Sequence, residues 1–190
     1  MSSPDPASRE IRPPVPDTRR NAAAAYDAPL YEISTEPARI DAVAAHAFLA
    51  TAYWSRGIPF ATVARALAHS VCAAAFDRGR QVAFARAVTD RATFAYIADV
   101  YVLEDHRGRG LGRRIVEALL AHPDLQGLRR MMLATRDAHR LYAGQGFAPL
   151  ADPVRFMERH HQDCYAGAPV SLDPYSAVSD PGGAGEINPP

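Results

Sequence analysis

The stretch that most restricts the fold is FAYIADVYVLEDHRGRGLGRRIVEALL, residues 94–120. Residues 94–103 are apolar apart from Asp99, as in a central strand buried on both faces. Gly108, Gly110 and Gly112 then alternate among arginines. Leu111, Ile115, Ala118 and Leu119 follow at i, i+4, i+7 and i+8, the stripe of an amphipathic helix, and Pro123 stops it. The segment has to fold as strand, tight loop and helix.

The remaining elements alternate in the same way. LYEIST (30–35) reads as a short strand. Asp41 caps a helix over 42–52, and Gly57 breaks the chain before a second helix from Pro59 to about His69. VCAAAF (71–76) and QVAFARAV (81–88) flank the turn DRGR, giving an antiparallel hairpin. RRMMLAT (129–135) is the next strand. Asp137 is expected to cap a short helix carrying Ala138, Leu141 and Tyr142, ended by Gly144 and Gly146. GFAPL (146–150) and PVRFMER (153–159) are expected as further strands.

This pattern gives an α/β domain over 29–162. The Pro- and Ser-rich arm 1–28 and the Pro/Gly-rich tail 163–190 are expected to be disordered. Lys plus Arg and Asp plus Glu both number 21, so no basic excess points to nucleic acid. The first residues hold no apolar signal core, and no run of apolar residues is long enough to span a membrane. With two cysteines and no disulfide framework, the expected location is cytoplasmic. His160, His161, Asp163 and Cys164 are metal-ligand types, but their spacing matches no zinc pattern and no metal is expected.

The glycine loop admits several readings. An Arg/Gly tail of the RNA-binding kind would not run directly into a helix with a core-facing stripe. A dinucleotide fingerprint needs a glycine where Arg113 stands, and a Walker A loop needs a Gly-Lys-Ser/Thr that is absent. What remains is either a plain turn with solvated arginines or a cradle of backbone N–H groups for an anion, assisted by the helix dipole.

VLEDHRGRGLG (102–112) resembles the acetyl-CoA signature of the GNAT superfamily of N-acetyltransferases, R-G-x-G-x-G after a strand, with Glu104 where that family commonly has proline. A second landmark, A-x-x-L-Y before G-F, is matched by Ala138, Leu141, Tyr142, Gly146 and Phe147; Thr135 stands where an asparagine is frequent. The resemblance spans about 30–160. It implies a mixed, mostly antiparallel sheet of six to seven strands flanked by about four helices. It also implies acetyl transfer from acetyl-CoA to an amine in a direct ternary complex.

By that resemblance, Val100 and Val102 pair with the pantetheine arm. Arg107, Gly108, Arg109, Gly110, Leu111, Gly112 and Arg113 hold the pyrophosphate, with Thr135 and Ala138 further along. Tyr142 is the proton donor to the leaving thiolate, or else packs its ring against the cofactor. Asp99 is a general base or an amine anchor, or else a structural partner of an arginine such as Arg86, because an unpaired carboxylate there would cost several kcal/mol. Tyr53, Trp54 and Arg56 are expected to line the acceptor site, with capping of the core as the alternative for Trp54. The expected acceptor is a small-molecule amine. A protein lysine or N-terminus, or a CoA-binding regulator without catalysis, stands beside it. Pairing through a sheet edge would make a homodimer.

Overall fold

The structure is a computed structural model that describes residues 31–161 and 164–166. The arm 1–28 and the tail beyond 166, both expected to be disordered, lie outside the described residues, as does Asp163. Five strands form one sheet in sequence order: β1 (Glu32–Ser34), β2 (Ser70–Asp77), β3 (Arg80–Thr89), β4 (Phe94–Val102) and β5 (Arg130–Leu133). The first four are antiparallel, and β5 runs parallel to β4. Helices α1 (Ala42–Leu49), α2 (Phe60–Ala68), α3 (Leu111–Leu120) and α4 (His139–Ala143) flank the sheet. No helix among the described residues is long and apolar enough to cross a membrane.

Alternation along the strands builds two apolar faces. Val71, Ala73 and Ala75 of β2, with Ala83, Ala85 and Ala87 of β3, face Leu111, Ile115 and Leu119 of α3. The alanines let that helix lie close to the sheet. On the other face Cys72, Ala74, Phe76 and Phe84 meet Phe48 of α1 and Leu67 of α2. Asp41 caps α1 as its position suggested, its Oδ1 accepting the amides of Val43 and Ala44 at 2.9 Å each.

The register of β4 changes midway. Arg86 faces Ala98, but Phe84 faces Tyr101, so β4 carries one extra residue over that interval. Asp99 sits in this bulge with φ of 54°. The extra residue reverses the alternation. Ala95 and Ile97 face α3 before the bulge, while Val100 and Val102 do so after it and Tyr101 turns to the opposite face. Pairing with β5 covers only Phe94–Ile97, so the two strands part where the bulge begins.

Two expectations need correction. The helix α4 is not capped by Asp137: Ala138 is at its N-cap, and the Thr135 hydroxyl accepts the Ala138 amide at 3.0 Å. No strand follows β5 among the described residues, so the sheet has five strands rather than six or seven. The Phe147 amide turns back to the Tyr142 carbonyl at 3.1 Å, and Pro153 opens a single 3-10 turn. Pro149 and Pro153 lack the N–H a ladder needs.

Candidate active site

The gap between β4 and β5 opens into a groove of about 1020 Å³. It is lined from the α3 side by Val102, Arg107, Gly112, Ala138, Leu141 and Tyr142, and from the α1 side by Phe48, Tyr53, Trp54 and Asp99. It therefore runs from one face of the sheet to the other. A smaller cleft of about 260 Å³, edged by Cys72 and the Arg91–Asp124 pair, holds none of the candidate residues. Burial pushes the Cys72 thiol up to about 12, so it is not a nucleophile at neutral pH.

At the α3 end the loop is shaped by glycine. Gly110 caps the helix at φ 75°, a left-handed conformation that other residues adopt only with strain. Among the described residues, the amides of 108–113 donate to no backbone carbonyl. They form a run of free N–H groups at the positive end of a ten-residue helix. Gly112 serves a different need: a Cβ there would stand 3.3 Å from Leu141 Cδ1 and 3.8 Å from Val102 Cγ2. The absent side chain brings α3, α4 and β4 together at the groove wall.

The arginines of the loop divide their work. Arg107 Nε donates to the Val102 carbonyl at 3.0 Å and stays on the groove wall. Arg109 donates to the Tyr31 hydroxyl at 2.9 Å, and that hydroxyl lies 2.9 Å from Nδ1 of buried His106. Arg114 donates to the Tyr31 carbonyl at 3.0 Å, so Tyr31 ties the loop to β1. Arg113 is exposed, 3.6 Å from Glu117. Leu111 is buried and belongs to the core.

Tyr142 is 8 % exposed and meets Phe147 edge-on at 6.0 Å. Burial, with the charge of Asp137, raises its phenol above the ordinary tyrosine value, so the proton is held at neutral pH. Its hydroxyl makes no hydrogen bond among the described residues, although the residue lines the groove.

Asp99 is held on both oxygens: Trp54 Nε1 donates to Oδ1 at 3.0 Å and Arg86 Nε to Oδ2 at 2.5 Å. The arginine named among its expected partners is the one present. The pair is mostly shielded from solvent, and a carboxylate with two donors retains lone pairs for a third. Trp54 is 43 % exposed and stands over the groove rather than in the core. Tyr53 packs edge-on against it at 4.9 Å. Arg56 is exposed and lies outside the lining.

Three residues at the site escaped the sequence reading. Phe48 and Tyr101 stack at 3.9 Å on the α1 side of the groove, and Arg136 lies 4.1 Å over the Tyr53 ring. Phe48 and Tyr101 looked like ordinary core positions. The arginine sits in a loop without pattern, so no signal marked it.

The acetyltransferase (GNAT) family model matches residues 30–147. A Gibberella zeae protein described as an acetyltransferase is 32% identical over 135 residues, covering 59% of this chain and 75% of its own. The crystal structure of a GNAT-family protein from Xanthomonas campestris pv. campestris is similar with a TM-score of 0.69 and 49% identity, covering 73% of this chain and 98% of that one. A Clostridium acetobutylicum protein solved with acetyl-CoA shares the fold alone, at a TM-score of 0.50 and 15% identity, covering 68% and 94%.

Proposed function

The chain belongs to the GNAT acetyltransferase family, and on that premise we propose that it acetylates the primary amine of a small molecule, with acetyl-CoA as donor. The observation that carries this reading is one continuous groove. Its lining reaches Arg107 and Gly112, at the two sides of the loop of free amides, and includes the Asp99 carboxylate with its aromatic neighbours Tyr53 and Trp54, and the protonated phenol of Tyr142.

The donor fits the residues present. The amides of 108–113 and the helix dipole suit a pyrophosphate. The opening of β4 away from β5 after Ile97 leaves the backbone of Val100 facing the groove, where a pantetheine arm can pair with it. Arg107 and Thr135 flank that path. Acetyl-CoA supplies an activated acyl group: the amine nitrogen bonds to the carbonyl carbon as the C–S bond breaks.

The side chains then have separate tasks. Asp99 holds the incoming amine by charge, its carboxylate fixed by Arg86 and Trp54. Because both its oxygens already accept strong donors, anchoring suits it better than proton abstraction. The amine loses its surplus proton to water before attack. As the C–S bond breaks, Tyr142 donates its proton to the leaving sulfur; the acylated nitrogen gives its extra proton to solvent and Tyr142 recovers one from solvent, so the products are the neutral amide and the free thiol.

The test is thiol release from acetyl-CoA in the presence of a panel of primary amines. Release that depends on one amine class supports the reading. Absence of release with every amine refutes it.

A further inference from the structure

The two ends of the groove differ in charge as well as in shape. Four charged residues line it: Asp99, Arg107, Arg136 and Asp137. Three of them have a task already. Asp99 is covered by Arg86, and Arg107 donates to the Val102 carbonyl near the glycine loop. Asp137 acts on Tyr142 through its field. Arg136 is different, because no carboxylate pairs with it among the described residues.

Its placement is specific. Arg136 follows β5, on the far side of the gap from the α1–α2 turn, yet its guanidinium lies 4.1 Å over the face of Tyr53 in that turn. Arg136 thus bridges the mouth through which an acceptor reaches Asp99. Tyr53 is 60 % exposed, so the bridge is at the surface rather than in the core. Stacking occupies only the flat face of a guanidinium. The N–H donors lie in its plane and match a carboxylate two at a time. Between Arg136 and Asp99 the wall is aromatic, built from Tyr53, Trp54 and Phe48.

We infer that Arg136 is a specificity-determining residue that binds a carboxylate on the acceptor, so that the substrates are amines which also carry a carboxylate and an apolar portion. Free α-amino acids with apolar or aromatic side chains belong to this class. The inference rests on the acetyltransferase reading given above and narrows its acceptor. The amine faces Asp99, the carboxylate faces Arg136 and the side chain lies along the aromatic wall.

The test is calorimetric and uses the reaction products, which lack a titrating amine. The CoA-saturated protein is titrated with N-acetyl-L-phenylalanine and N-acetyl-L-methionine, and with the primary amide of each. Loss of a charge-assisted pair is worth roughly 10- to 100-fold, so the acids should bind that much more tightly than the amides. In Arg136→Gln the ratio should fall to about one, and Arg136→Lys should keep part of it, since it retains the charge without the planar fork. Acid and amide binding alike to the wild type, an acid preference that survives in Arg136→Gln, or no binding of either acid would overturn the inference. Failure of acetyl transfer itself is read separately, in the thiol-release assay, and does not enter this ratio.

Discussion

At the residue scale, the proposed function gives Tyr142 and Asp99 separable tasks, and Tyr101 belongs to the fold. Tyr142→Phe removes the donated proton and keeps the ring against Phe147. Its kcat should fall about 10²-fold or more with acetyl-CoA affinity nearly unchanged, as measured by steady-state kinetics beside calorimetry. Asp99→Asn keeps an acceptor for Trp54 and leaves Arg86 without its counter-ion. The KM for the amine should rise at least tenfold, by roughly the same arithmetic of a lost charged contact, while the rise of rate with pH persists. Disappearance of that rise would make Asp99 the base. Tyr101 supplies a pH signature of the fold. Burial pushes its phenol up to about 12, above the ordinary value of 10. The folded state therefore holds the proton more tightly than the unfolded chain. That stabilisation is complete below pH 10 and drains away as pH rises to about 12, amounting to about 2–3 kcal/mol. Melting temperatures between pH 9 and 12 should fall less steeply in Tyr101→Phe than in the wild type.

At the element scale, α3 joins the core to the site. Ile115 is fully buried against the alanine face of the sheet, so Ile115→Ala should cost about 2–5 kcal/mol in denaturant unfolding. Gly112 stands on the same helix, where a Cβ would press on Leu141 Cδ1 at 3.3 Å and a branched side chain would reach further, toward Val102. Gly112→Val should push α3 away from α4, cost about 1–3 kcal/mol and weaken acetyl-CoA binding in the same preparation. Much at this scale was legible in the sequence. The hairpin announced itself through DRGR, where Arg78 and Gly79 both take the positive φ of a tight turn. The loop and α3 were equally plain, because glycine spacing and a helical stripe are local signals. The β4 bulge was not, although Asp99 interrupting an apolar run was its trace. Its register is set by pairing with β3, which periodicity along one strand does not record. Likewise the segment after Gly146 reads as apolar and strand-like, but its prolines and the return of Phe147 to Tyr142 keep it off β5.

At the scale of the whole molecule, the sheet is continuous as far as Ile97 and split beyond it, and the function proposed here depends on that split. One side of the opening presents amides to an anion. The other is lined by Asp99, Trp54 and Arg136, the residues proposed to meet the acceptor. The donor half was readable because it is contiguous in sequence. The acceptor half is assembled from α1, the α1–α2 turn, the bulge and the loop after β5, so Asp99 and the pair Tyr53 and Trp54 stood out beforehand, while Arg136 did not and Arg56 lies outside the lining. The most direct test of the account is a calorimetric titration of acetyl-CoA into the wild-type chain and into Gly110→Asp, which places a carboxylate beside the free amides without entering the core. Micromolar binding by the wild type, abolished in a folded Gly110→Asp, is the expected result. Absence of binding to the wild type, or equal affinity in both proteins, would contradict it and reduce the glycine loop to a turn.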